Sequence, residues 1–205
     1  DADKTYSATI ELGKTTDTYD GEGAVIDVVS TLSVDQFDIQ SAIEAFKGYQ
    51  SQIPPMHSAI KVNGVKLYEL ARKGISIDRT PRPVVLYEAS ISNFESPELK
   101  LHIKCSKGFY VRTFANDLGI HLETGAYLKK LVRTSIGNFK IIDSSCLDLV
   151  EEELTNHRWD TVVQNMETAL DPIQKLHLTA DETAKVQNGI SIPVEPHFNA
   201  KTMKP

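Results

Sequence analysis

Leu99, Leu101, Ile103 and Cys105 alternate with Lys100, His102 and Lys104. That period of two marks a strand with one buried face. Directly downstream, Val111, Phe114, Ala115, Leu118 and Leu122 recur at helical spacing, so a helix follows a short turn and ends near Thr124-Gly125. A second alternation sets Tyr6, Ala8, Ile10 and Leu12 against Thr5, Ser7, Thr9 and Glu11, predicting a strand over Asp3–Leu12. Val25 to Ser30 reads as a short apolar strand. Asp38 is expected to cap a helix that buries Ile39, Ile43 and Phe46 and stops at Gly48. A helix over about Val65–Lys73 buries Leu67, Leu70 and Ala71 and stops at Gly74. Val84 to Phe94 is a strand, and the Ser96-Pro97 turn folds it antiparallel onto Leu99–Cys105. Ala126 to Phe139 reads as a bent strand or strand pair with Lys129, Lys130 and Arg133 exposed.

The rest of the chain is more polar. Ile141 to Asp171 is expected to be helical and acidic, with Glu151, Glu152 and Glu153 forming a solvated face. Leu176-His177-Leu178 reads as a short strand, followed by a capped helix over Thr179–Gln187 that Asn188-Gly189 stops. The final 30 or so residues are too few to hold a core of their own. The fold class implied is α+β: a mostly antiparallel mixed sheet flanked by helices.

Two hundred and five residues allow one good core, or one domain and part of a second. No apolar run is long enough to span a bilayer, and the first residues carry no signal-peptide pattern. Cys105 and Cys146 lack metal-ligand spacing and read as reduced thiols, so the expected location is the cytoplasm. The net charge of −6 argues mildly against nucleic acid, but it hides an asymmetry. Lys61 to Arg133 holds 13 Lys/Arg against 7 Asp/Glu, a balance of +6, while the remainder has 9 against 21, or −12. A local basic stripe is what phosphate contacts need.

That stripe contains the chemically unusual residues. Lys107, Tyr110 and Arg112 sit where the strand ending at Cys105 meets the next helix. An Arg there offers a flat fork for a carboxylate or phosphate, and a Tyr offers a ring face and a hydroxyl. The plainer alternative is a capped turn whose Arg pairs with a surface acid. Asp17, Asp20 and Glu22 do not meet the calcium-loop pattern. His102 and Cys105 lie three apart on one strand and so face opposite sides, which argues against a hydrolytic pair. Gln52 to Gly64 contains Pro54-Pro55, making a stiff exposed loop suited to docking something large.

Taken together, six ordered blocks resemble the TruB-type tRNA pseudouridine synthases from about Asp3 to Phe139. They are Lys4-Thr5-Tyr6; Thr16 to Gly23 (TDTYDGEG); Gln52 to Gly64 (QIPPMHSAIKVNG); Leu67 to Arg72 (LYELAR); Cys105 to Thr113 (CSKGFYVRT); and Gly125-Ala126-Tyr127 leading to Leu131-Val132-Arg133-Thr134. The resemblance implies the pseudouridine synthase fold for residues 1–175 and the start of a small PUA-like RNA-binding unit for 176–205. It implies isomerisation of uridine 55 in the T loop of tRNA, by base flipping, cleavage of the glycosidic C–N bond and C–C rejoining. Tyr6 would stack on the target base, Tyr110 would line the same pocket, Arg112 would pair with the catalytic carboxylate, and Leu131 would form an apolar wall. Lys61, Asn63, Tyr68, Arg72, Lys107, Lys130 and Arg133 would contact RNA. The T stem-loop is the expected partner, with no membrane, metal or cofactor, and a monomer is expected. The alternative is a non-catalytic tRNA-binding module of the same fold.

Three positions depart from the family pattern. The nucleophilic aspartate of the family lies in a Gly-x-Leu-Asp-Pro block upstream of the Lys-Thr-Tyr strand, and that block does not occur in these 205 residues. The expectation is therefore a chain lacking that upstream segment, with no nucleophilic role for Asp1, Asp3, Asp17 or Asp20. Tyr127 stands where histidine is usual, and His57 where tyrosine is common.

Overall fold

The computed structural model describes residues 2–29, 33–170, 173 and 175–193. Its first compact unit runs from residue 2 to 143 and its second from 144 onward. In chain order the first unit contains β1 (Lys4–Leu12), β2 (Lys14–Thr16), β3 (Val25–Val28), α1 (Gln36–Ala45), β4 (Gly48–Gln52), β5 (Lys61–Val62), β6 (Val65–Lys66), α2 (Leu67–Ala71), β7 (Arg82–Glu95), β8 (Glu98–Cys105), α3 (Val111–His121), β9 (Ala126–Ile136) and β10 (Phe139–Lys140). Six strands make one sheet in the order β10-β9-β1-β8-β7-β4, every pair antiparallel.

The alternation seen in the sequence becomes the two faces of this sheet. Ala8, Ile10 and Leu12 of β1 lie opposite or beside Leu99, Leu101 and Ile103 of β8, and all are essentially inaccessible. Thr9 and Ser7 face the other way, opposite Lys100 and His102. His102 is exposed while Cys105 is buried, and burial pushes the Cys105 thiol up to about 12. The two side chains therefore do not form a nucleophile–base pair. Helices α1 and α3 cover the apolar face with Ile39, Ala42, Ile43, Phe114, Ala115 and Leu118. Phe46 packs edge-on against Phe114, with ring centroids 5.5 Å apart. At roughly 1.5–3 kcal/mol per fully buried aliphatic or aromatic side chain, this layer is the main source of stability.

Several local expectations change. The cap of α1 is Asp35; Asp38 is the third helical residue, and its carboxylate returns the bond to the Asp35 backbone N–H, completing a capping box. Residues Val65 and Lys66 form a two-residue strand with Lys61 and Val62, so the helix expected from Val65 begins at Leu67. Strand β3 is not a core strand: it pairs only with β2, and Val25, Ile26 and Val28 are exposed. Strand β4 is an addition that polar Gly-Tyr-Gln-Ser-Gln did not announce.

In the second unit, α4 (Leu147–Thr155), a 3-10 turn at Trp159–Thr161 and α5 (Glu167–Leu170) break up the block expected to be helical from Ile141 to Asp171, and α6 (Ala180–Gln187) follows as expected. Glu153 is not solvated. Its carboxylate accepts bonds from Arg158 Nε and Nη2 at 3.0 and 2.7 Å and from Thr161 Oγ1 at 2.8 Å. Thr179 caps α6 through a capping box with Glu182, but Leu176–Leu178 forms no strand.

On the outer sheet face, Glu11 is 6 % exposed and holds a charge cluster together. It takes Lys14 Nζ and Lys129 Nζ, both at 2.8 Å, and Lys129 also pairs with Glu98. Burial alone would raise the Glu11 carboxyl, yet hydrogen bonds from Lys129, Lys14 and Tyr127 outweigh it and bring it down to about 2. Tyr127 thus donates to a buried carboxylate. Because the folded pKa lies below the ordinary 4.5, this contribution is complete above that pH and is lost as the pH falls toward 2. Glu11→Gln is expected to cost about 2–3 kcal/mol at pH 7, less than a fully buried pair would, because both lysines are partly exposed. Urea unfolding of both forms should show the difference shrinking between pH 5 and 2; a difference independent of pH would contradict this.

Candidate nucleic-acid interface and active cleft

The turn Ser106–Phe109 hands the chain from β8 to α3, and Ser106 fixes it to β7. Its hydroxyl accepts the Val85 N–H and its own N–H donates to the Val85 carbonyl, both at 2.9 Å. Tyr110 is the N-cap of α3 and Arg112 its second residue, so the two are presented at the start of the helix. Arg112 Nη1 donates to Asp20 Oδ2 at 2.8 Å, and Nη2 donates to the His57 carbonyl at 3.0 Å. The alternative of an Arg paired with an acid is therefore realised, but the acid is not on the open surface. The two side chains are only 26 % and 22 % exposed.

Asp20, set aside in the sequence as a calcium ligand and as a nucleophile, is the acid that holds Arg112, a role the sequence did not suggest. Its other oxygen, Oδ1, accepts the Thr18 hydroxyl at 2.6 Å and the Glu22 N–H at 3.2 Å. The loop that carries it is anchored twice to β9, through Gly21 N–H to the Leu128 carbonyl and Leu128 N–H to the Tyr19 carbonyl, each 3.0 Å. A carboxylate with both oxygens committed is built to hold a guanidinium, not to attack a sugar. Nothing in the spacing of TDTYDGEG could reveal this, because the partner lies 92 residues away.

Asp20, Gly21, Glu22, Arg112, Leu128, Lys129, Lys130 and Leu131 line one open cleft of about 330 Å³. Leu131 is 42 % exposed there, so it is not a core leucine. In register it faces Ala8 across the β1–β9 pair, and the next pair on the same face is Tyr6 with Arg133. Tyr6 is half-buried, and burial raises its hydroxyl pKa, with Cys105 adding to the rise and Arg133 opposing it through charge and a hydrogen bond. The cleft lining thus unites Arg112, Lys130 and Leu131, with Tyr6 and Arg133 on the adjoining row. Neither tyrosine lines the cleft itself.

The remaining expected RNA contacts form a separate arm. Lys61 and Asn63 belong to the β5–β6 hairpin, whose turn places Asn63 and Gly64 at positive φ, and both side-chain-bearing residues are exposed. Tyr68 lies beneath two cations, Lys66 Nζ at 5.4 Å and Arg72 Cζ at 5.3 Å from its ring centre. The arm is tied to the loop beside Arg112 through Tyr68 N–H to the Ser58 carbonyl and Leu67 N–H to the Ile60 carbonyl. Lys107 sits on the exposed turn before α3. Among the described residues no cluster of His, Cys, Asp or Glu is arranged to hold a metal ion, and no helix is long and apolar enough to cross a membrane.

The antiparallel sheet thus carries an open cleft lined by charges of both signs, and the same unit bears a cationic hairpin arm. The family model described as TruB family pseudouridylate synthase (N terminal domain) matches residues 1–111. A tRNA pseudouridine synthase B from Clostridium kluyveri is 41 % identical over 208 residues, covering 98 % of this chain and 68 % of that protein. One from Dehalococcoides mccartyi is 40 % identical over 194 residues, covering 94 % and 64 %. One from Opitutus terrae is 46 % identical over 152 residues, covering 73 % and 62 %. The chain belongs to the TruB family of pseudouridine synthases, and it spans about two thirds of the length of these relatives. Solved structures agree on the fold. A chain of the crystal structure of a Cbf5-Nop10-Gar1 complex superposes with a TM-score of 0.57 at 22 % identity, over 82 % of this chain and 43 % of that one. A chain of an H/ACA RNP bound to a substrate RNA containing 2'-deoxyuridine gives 0.53 at 18 %, over 82 % and 41 %.

The Asp20 loop supplies a direct structural test. A Cβ on Gly23 would collide with Thr18 Oγ1 and Asp17 Oδ1, whereas a Cβ on Gly21 meets nothing nearer than 3.6 Å. Gly23→Ala is therefore expected to cost about 1–3 kcal/mol and to speed amide exchange across residues 17–24, with Gly21→Ala close to neutral. Equal effects of the two substitutions would show that the loop is not packed as described.

Proposed function

We propose that this chain supplies the greater part of the catalytic domain of an enzyme that converts uridine 55 in the T loop of tRNA to pseudouridine. The carrying observation is the largely buried Arg112, held by Asp20 and the His57 carbonyl at the mouth of a cleft whose wall is an exposed leucine. The target base sits inside a folded loop, so it must leave the stack to react. Tyr6 would stack on the extruded base, a contact worth about 1–3 kcal/mol. Leu131 would wall the pocket and exclude water, and Tyr110, outside the lining, would support it from the start of α3. Arg112 would keep the attacking carboxylate ionised, since a nearby cation lowers a carboxylate pKa. That carboxylate is expected from the Gly-x-Leu-Asp-Pro block, which these residues do not contain.

Phosphates would be met by Lys130 and Arg133 beside the cleft, by Lys107 at the turn, and by Lys61, Asn63, Tyr68 and Arg72 on the arm. Residues 176–205 would begin a PUA-like unit that extends the RNA surface. The glycosidic exchange needs no metal and no cofactor: the C–N bond breaks, the uracil turns, C5 bonds to the ribose and loses its proton, and the freed N1 takes up a proton.

That lost proton is the assay. Full-length protein should release tritium from a T stem-loop labelled at uridine C5. Arg112→Ala should lower turnover by about 10²-fold or more with RNA affinity little changed. RNA affinity should fall by at least about tenfold when salt is raised fourfold, because several phosphate contacts are made. Tight, salt-sensitive binding without tritium release from the wild type would instead identify a tRNA-binding module.

A further inference from the structure

Gln52 ends the edge strand β4 and is 3 % exposed, an unusual place for a primary amide. Its side chain crosses to the start of α3 and bonds both backbone polar groups of one residue, Tyr110. The Tyr110 N–H donates to Gln52 Oε1 at 2.8 Å, and Gln52 Nε2 donates to the Tyr110 carbonyl at 3.1 Å. The same carbonyl accepts the first helical bond of α3, from Phe114 N–H at 3.1 Å. No side chain caps α3 in the usual way, so Gln52 is what fixes the backbone at its N-cap.

The grip has a second anchor five residues on. Arg112 Nη2 donates to the His57 carbonyl, so the segment from Gln52 to His57 is fastened to α3 at both ends. Between those ends stand Pro54 and Pro55, both buried, and Arg79 Nη1 donates to the Pro54 carbonyl at 3.2 Å. Two consecutive prolines leave little freedom for the segment to absorb a shift. A displacement of Tyr110 must therefore displace Gln52, and the rigid link would pass it to the carbonyl that holds Arg112.

We infer that Gln52 is a positioning residue: its amide sets the backbone of Tyr110, and through the helix start it sets the place of the Arg112 guanidinium in the cleft. It touches no reacting atom. The inference rests on the pseudouridine-forming reading, since only there does the placing of Tyr110 and Arg112 govern a rate. A misplacement of about 1 Å at reacting groups costs on the order of 10²-fold in rate.

Two substitutions separate the parts of the grip. Gln52→Ala removes both bonds. Gln52→Glu keeps an acceptor for the Tyr110 N–H but turns the donor into an oxygen facing the Tyr110 carbonyl. In the full-length protein each should lower single-turnover tritium release about 10- to 100-fold, with the dissociation constant for the T stem-loop unchanged within about twofold. Amide exchange at Tyr110, Val111 and Arg112 should quicken at least tenfold, while amides of β1 and β8 stay protected. Unaltered turnover in Gln52→Ala overturns the inference, as does unaltered exchange at Tyr110. A parallel loss of RNA affinity, or faster exchange throughout the sheet, also overturns it by revealing a general structural role. If the wild type releases no tritium, the functional reading fails, and the exchange comparison alone decides whether Gln52 holds Tyr110.

Discussion

One guanidinium joins three distant parts of the chain. Arg112 reaches Asp20, 92 residues before it, and the carbonyl of His57, 55 residues before it. A fork of fixed planar geometry can serve two partners at once, where a lysine would serve them as a point charge. The Asp20 loop, the proline segment and the start of α3 are each irregular backbone. They keep a defined relation because this one side chain, three-quarters buried, makes charged and neutral hydrogen bonds in surroundings of low dielectric.

The scaffold behind this pair is the central strand β1. It carries Tyr6 at one end and Glu11 at the other, on opposite faces, and pairs with β8 on one side and β9 on the other. Register shifts in the β1–β9 pair fall between Thr5 and Tyr6 and between Thr9 and Ile10. They bracket the stretch in which Leu131 and Arg133 oppose Ala8 and Tyr6. Bulges of this kind re-aim side chains at the rim of a site. The outer face then locks β1 to its neighbours through Glu11, with Lys129 shared between Glu11 and Glu98. The apolar face and the ionic face thus hold the same strand from opposite sides.

Relatives and solved structures support this organisation at different depths. The curated relatives establish family membership across most of the chain. The solved structures, at 18–22 % identity, bear on the fold alone. An antiparallel sheet can preserve its topology through such divergence because backbone pairing and a period of two are indifferent to which apolar residue fills each position. Tyr127 adds to this organisation through its hydroxyl, which serves a buried carboxylate that needs only a hydrogen-bond donor.

By itself the sequence determined the strands with one buried face, the helix that begins after Tyr110, and the family. Burial is local in its consequences: a strand half in water must alternate, and a helix on a sheet must repeat near 3.6. Elements that bury little left no such mark. Strand β4 shows only Gln52 fully buried, and β3 pairs in a hairpin with its apolar side chains exposed. Leu176–Leu178 looked like a strand, but a strand exists only with a hydrogen-bonded partner, and among the described residues it has none. Tertiary structure alone decided that Asp20 holds Arg112, that Gln52 holds the backbone of Tyr110, and that Lys129 is spent on Glu11. Each is a polar contact between residues at least 58 apart, and the strength of such a contact depends on distance and desolvation, which no local periodicity encodes.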